Sequence, residues 1–253
     1  MDIRDSVIKF KKYAHNFDFA NKDIERKYFH SFRVKSFSEQ IAKKLYLDNE
    51  KIKLSSFIGL FHDIGRFEQL KQFSTFNDYY SFDHGNFGAE YLKENLRFLV
   101  DTDEFDDIII QSVKNHNKFR IASGLNDDEL FYSKLVRDAD KLDILFESTS
   151  IFWEGKEDII NNSSILDYSY DCIKNHSLVE YKKGMKLENL DSIIKVLAFV
   201  FDFNYTPSFQ ILKNNDYINK ILGRYRFNDA TTKKRICEIQ DIINSFIDSK
   251  LEQ

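Results

Sequence analysis

The chain has 253 residues, 37 Lys and Arg against 41 Asp and Glu, a net charge of −4 and 42% hydrophobic residues. That length can bury a sizeable core as one large or two small domains, while the acidic balance argues against a polynucleotide-binding surface, which wants clustered cations. Two distant cysteines, Cys172 and Cys237, exclude a disulfide framework and a CxxC motif, and the longest apolar run, VLAFVF at 196–201, is too short to span a bilayer.

One proline and eight glycines in such a chain argue for long helices, and no alternating strand pattern stands against them. The first predicted helix covers 3–15. After NFDFANKD, with Asn21 as candidate cap, a second runs over 23–46, where His30, Val34, Phe37, Ile41 and Leu45 share one face. A third, over 50–64, carries Leu54, Phe57, Ile58 and Phe61 and is expected to stop at Gly65. Residues 66–83 read as an aromatic loop, with most of Phe67, Phe73, Phe76, Tyr79, Tyr80 and Phe82 expected in the core and one or two lining a pocket. Helices follow over 85–99, 104–117 (Phe105, Ile109, Val113 and His116 in register) and 127–148, the last with Asn126 or Asp127 as cap. Residues 150–253 alternate apolar helical segments with Asn-rich turns, and Pro207 is expected to end a helix over 190–203. The expected fold is all-α: residues 1–150 as one helical bundle and 151–253 as a helical extension packed on it, capping the site and leaving part of its surface for a homodimer. The amino-terminal MDIRDSVIKFKKY has early acids and no apolar core, so a soluble cytoplasmic protein is expected.

Of the six histidines, His15 and His176 lie outside any pattern. His30 opens one apolar stripe, His116 closes another, and His62 and Asp63 sit side by side in FHDIG. Asp140 follows Val136 by four residues and shares its face. Ionisable groups on core faces are costly unless paired or bound to metal, and several in one half of a chain point to a shared site. Imidazole and carboxylate without thiolate suit an open, catalytic ion rather than a structural zinc. Asp63, with two oxygens, can bridge two ions while His62 binds one. No Walker loop, GxSxG motif or Cys–His arrangement competes.

The segments HSFRV (30–34), LFHDIGR (60–66), DHGNFGAEYL (83–92), VKNHN (113–117) and VRDADKLD (136–143) together resemble the HD-domain superfamily of metal-dependent phosphohydrolases, and the resemblance covers about 20–148. The additional His84 and His116 are similar to those of its dinuclear subset. The resemblance implies an all-helical bundle with divalent ions at its centre, two in that subset, drawn from Fe, Mn, Ni, Co, Zn or Mg. It places His30, His62, Asp63 and Asp140 on the first ion and Asp63, His84 and His116 on the second. It further implies a phosphate contact for Arg66; Arg33 either shares that role or pairs with a carboxylate, and Lys118 borders the site. Lys141 is expected to be solvated, and Asp138 and Asp143 to lie behind the ligands or on the helix surface. The implied activity is hydrolysis of a phosphate ester of a nucleotide or small phosphorylated metabolite by metal-activated water, with Asp63 and Arg66 as catalytic groups. A di-iron oxygenase of the same domain type uses a similar ligand set and stays open, as does a non-catalytic metal-binding regulatory module.

Overall fold

The computed structural model describes residues 1–149, 164–180 and 189–252; among them there are helices and no strand, the all-α class. No described helix is long and apolar enough to cross a membrane. The chain divides into two compact units, Met1–Asp140 and Lys141–Gln253, so the division falls within a helix; the boundary expected at residue 150 lies outside the described residues.

The first unit contains α1 (Ile3–Ala14), α2 (Lys22–Lys44), α3 (Asn49–Phe61), α4 (Ile64–Phe73), a 3-10 turn (Asp78–Tyr80), α5 (His84–Leu99), α6 (Asp106–Asn115) and the start of α7 (Asp127–Ser148). Side-chain caps fix where these helices begin. Asn21 accepts from the Asp23 amide, Asp48 from Lys51 and Asp83 from Asn86, while Asn126 and Glu129 bond reciprocally at the start of α7. The central element is α3. From Leu54 to Gly65 every residue is buried, so no side of this stretch meets water, as expected of a helix enclosed by others. Around it Phe10 makes edge contacts with Phe32, Phe61 and Phe67 at ring separations of 5.6, 5.4 and 5.9 Å, tying α1, α2, α3 and α4 into one core.

Three expectations for this unit are corrected. The 66–83 segment is not all loop: α3 ends at Phe61, and α4 starts at Ile64, after two linking residues, and runs to Phe73, beyond which Ser74 turns left-handed at φ 52°. Gly65 is therefore no helix stop. It stands in the first turn of α4, where a Cβ would come within 2.4 Å of the His84 carbonyl oxygen, so its lack of a side chain lets α5 approach. Of the aromatics in that segment only Phe67 is core; Phe73, at the last position of α4, and Tyr79 and Tyr80, on the 3-10 turn, are 44, 60 and 73% exposed.

The second unit holds α8 (Asp167–Lys174), α9 (Asn189–Leu197), a 3-10 segment (Ala198–Asp202), α10 (Thr206–Asn214), α11 (Tyr217–Leu222) and α12 (Ala230–Leu251). The buried face of α12 is Ile236, Ile239, Ile243 and Ile247, at helical spacing. Arg235 fastens it to α8 through the Ile165 carbonyl (3.0 Å) and Asp167 (2.7 Å). Pro207 opens α10 rather than ending a helix, because its missing N–H costs nothing in a first turn. Lys141 is buried rather than solvated, its Nζ 3.0 Å from Asp202 Oδ2.

The close approach of α2 and α3 makes the fold testable. A Cβ on Gly59 would stand 2.9 Å from the Val34 carbonyl oxygen and 2.5 Å from Ser38 Oγ. Gly59→Ala is expected to cost about 1–3 kcal/mol and lower the melting midpoint by several degrees. A thermal melt unchanged from wild type would contradict the contact.

Candidate metal centre

The packing of α2 on α3 brings His30, in the interior of α2, to His62, the residue that caps α3; their Nε2 atoms are 3.2 Å apart. Asp140 of α7 completes this group, its Oδ1 lying 3.2 Å from His30 Nε2 and 3.6 Å from His62 Nε2. A second group forms where α5 begins and α6 ends. His84 is the first residue of α5, His116 caps α6, and their Nε2 atoms are 3.1 Å apart. The His62 and His116 rings are perpendicular neighbours at 5.0 Å, so the two groups adjoin.

Asp63 joins them. It occupies the N-cap position of α4, where an aspartate ordinarily accepts a backbone N–H, yet it makes no side-chain capping bond. Its Oδ1 lies 3.3 Å from both His84 Nε2 and His116 Nε2, and its Oδ2 lies 3.3 Å from His30 Nε2 and 3.6 Å from His62 Nε2. One oxygen faces each group.

The imidazole protons can be assigned by chemistry. His62 Nδ1 is 2.8 Å from the Gly59 carbonyl and His116 Nδ1 is 2.6 Å from the Val113 carbonyl. A carbonyl only accepts, so Nδ1 donates, satisfies an orphan carbonyl of the helix's last turn, and leaves Nε2 bare. His84 Nδ1 lies 2.7 and 2.8 Å from the two Asp78 oxygens, which makes it the donor as well. The centre thus gathers the bare Nε2 atoms of His62, His84 and His116 and carboxylate oxygens at 3.1–3.6 Å, lone pair facing lone pair. Donors bound about 2.0–2.1 Å from one ion at angles between about 90° and 110° lie about 2.9–3.4 Å apart, so the set fits divalent metal. Two overlapping sets, His30–His62–Asp140 and His62–Asp63–His116, each hold their ligand atoms within 4.8 Å of one another.

Burial works to raise the Asp63 and Asp140 carboxyls, but the Lys27 ammonium and His62 beside Asp63, and His30 and His62 beside Asp140, hold both well below the ordinary carboxylate range. His116 is pushed down to about 4, by burial first and then by its neighbours His84 and His62, against the pull of the Asp63 carboxylate.

The remaining predicted residues lie around this core. Arg66 Nη1 donates to the Phe76 carbonyl (2.6 Å), Gln69 Oε1 (2.7 Å) and Asp78 (3.0 Å), while its Nε stands 3.6 Å from Asp63 Oδ1. Lys118 pairs with Asp83, the cap of α5. Arg33 is half-buried on α2, three residues beyond His30. Several contributors escaped sequence reading. Lys27 places Nζ 2.6 Å from Asp63 Oδ2; its signal is that it precedes His30 by three residues and so shares its face. Arg137 is buried and donates to the carbonyls of Asn115, His116 and Lys118, fixing the end of α6, and its place three residues before Asp140 is the matching signal. Asp78, Gln69 and Asn117 form a polar network that has no periodic trace in the sequence.

A neutral, buried His116 sets a pH dependence. An unfolded imidazole protonates near 6.5 while the folded one resists to about 4, so the unfolded state takes up the extra proton as pH falls. Stability is therefore full above about pH 6.5 and declines below it, by on the order of 2 kcal/mol by about pH 5, and the depressed carboxyls extend the loss below about pH 4. Urea melts of the metal-free protein should show a lower midpoint at about pH 5 than at pH 7. Equal midpoints would contradict the buried neutral imidazole.

Residues 28–145 match the family model of the HD domain. No curated protein and no solved structure matches the chain. The matched segment runs from the residue two before His30 to five beyond Asp140, and so spans every histidine and aspartate of the centre. Through it residues 28–145 are similar to the HD domain, the domain type of a superfamily of metal-dependent hydrolases.

Proposed function

We propose that the chain hydrolyses a phosphate ester of a nucleotide or another small phosphorylated metabolite at a centre of two divalent ions. The observation that carries this reading is the division of Asp63, one oxygen toward His30 and His62 and the other toward His84 and His116. His30, His62, Asp63 and Asp140 would hold one ion, and Asp63, His84 and His116 the other. Ions held there would supply a water of lowered pKa and neutralise phosphoryl charge. Asp63, common to both groups, positions the attacking water. Lys27 and Arg66 flank Asp63 and both lie against the Phe76 ring, at 5.4 and 5.5 Å, so two cations stand on one side of the centre. There they stabilise the charge that builds on the phosphoryl oxygens, with Arg33 and Lys118 as outer contacts. The exposed Tyr79 and Tyr80 follow Asp78, which touches His84, on the 3-10 turn and offer a stacking surface for a base.

Asp63→Ala is expected to strip bound metal to near zero and bring hydrolysis of phosphomonoesters, phosphodiesters and nucleoside triphosphates to background, read by elemental analysis and a substrate screen with Mn, Fe, Ni, Co or Mg. Full metal content with full activity would refute the assignment. Turnover that consumes oxygen in the iron-loaded protein would replace hydrolysis by the oxygenase reading, which the same nitrogen and oxygen donors permit. The nucleotide assignment has its own test. Replacing Tyr79 and Tyr80 together by Ala should raise KM for a nucleotide about tenfold, the value of a lost stack, and leave a non-aromatic phosphomonoester unchanged. An equal effect on both substrates would remove the base from the proposal.

A further inference from the structure

His62 and His116 end their helices, and each directs Nδ1 to the carbonyl three residues back in its own last turn. His84 begins α5, so no helical turn precedes it to supply such a carbonyl. In that place stands Asp78, six residues earlier on the 3-10 turn, with its two oxygens 2.8 and 2.7 Å from His84 Nδ1. The carboxylate is itself held from several directions. Arg66 Nη1 (3.0 Å) and Gln69 Nε2 (2.8 Å) of α4 donate to Oδ1, and Asn117 Nδ2 (3.1 Å), just past α6, donates to Oδ2. Gln69 also donates to Ser81 Oγ (2.8 Å) and the Phe82 carbonyl (3.0 Å), which fixes the path of the segment that carries Asp78.

We infer that Asp78 is the positioning residue of the second metal site: it fixes His84 as the tautomer with bare Nε2 and makes retention of that ion, but not of the first, depend on the Asp78 carboxylate. The inference rests on the two-ion reading of the centre. A carboxylate is a stronger acceptor than the carbonyls that serve His62 and His116, so it both orients the ring and raises the donor strength of Nε2. Every partner of both Asp78 oxygens is an N–H donor. An amide at this position would set its own NH₂ against one of those donors. Facing His84, it would be satisfied only by moving the imidazole proton to Nε2, where it blocks the ion.

The test is metal titration of the full chain with Co(II), followed by calorimetry and by the visible absorption of the bound ion, on wild type, Asp78→Asn, Ser81→Ala and His84→Ala. Asp78→Ala replaces the amide variant if the latter does not fold. Wild type should take up two ions. Asp78→Asn should bind the first with unchanged affinity and the second about 10–100-fold more weakly, approaching His84→Ala. Ser81→Ala, which loosens the segment without touching His84, should keep both ions. Two ions bound to Asp78→Asn with wild-type affinity and spectrum would overturn the inference while leaving the two-ion reading intact. Equal loss in Ser81→Ala would overturn it by assigning the effect to loop order alone. A single ion in wild type would overturn the two-ion reading and this inference with it.

Discussion

One carboxylate set among imidazoles governs the first unit. Asp63 is 2% exposed, in a stretch where every residue from Leu54 to Gly65 is out of water. A carboxylate there is costly unless positive charge or directed hydrogen bonds compensate it. The chain provides the Lys27 ammonium on one oxygen and sets a pair of histidine nitrogens against each, an arrangement that a bound cation would complete, and it forgoes the capping bond that an aspartate at the start of α4 would otherwise make. Stability and chemistry are thereby coupled, because a carboxylate that is costly to bury is also the group whose two oxygens face the two histidine pairs.

The helices supply the geometry at their ends. Two ligand candidates are helix caps, one opens a helix, and Asp63 stands in the short link between α3 and α4. Helix ends carry unsatisfied carbonyls, and His62 and His116 use them to fix their own tautomers. Arg137, buried beneath α6, holds the carbonyls around His116 in place. The ligand atoms are thus set by backbone and by buried side chains rather than by exposed rotamers, which is the preorganisation a metal centre requires.

The all-α class and the order of the first helices were legible because apolar residues recur at three and four residue steps, and His30 and His116 break those stripes visibly. The join between α3 and α4 is ambiguous in sequence because Gly65 has two physical uses: a glycine stops helices, and it also lets backbones approach, as it does here beside the His84 carbonyl. Pro207 is ambiguous for a related reason, since proline both ends and opens helices. Lys27 was within reach of helical spacing from His30, whereas Asp78, Gln69 and Asn117 meet only through tertiary packing and carry no period. The roles of Arg66 and Lys118 could not be read from type alone, because a cation near a phosphate site and a cation holding a loop or cap look the same in sequence.

The most direct test of the account is electron paramagnetic resonance of the protein titrated with Mn(II). If the oxygens of Asp63 divide between the two histidine groups as ligands, the fully loaded protein holds two ions linked by one carboxylate, and the spectrum at saturation shows exchange coupling that disappears in the His84→Ala variant. A saturated wild-type protein that shows only the hyperfine pattern of isolated ions would contradict the bridging role of Asp63.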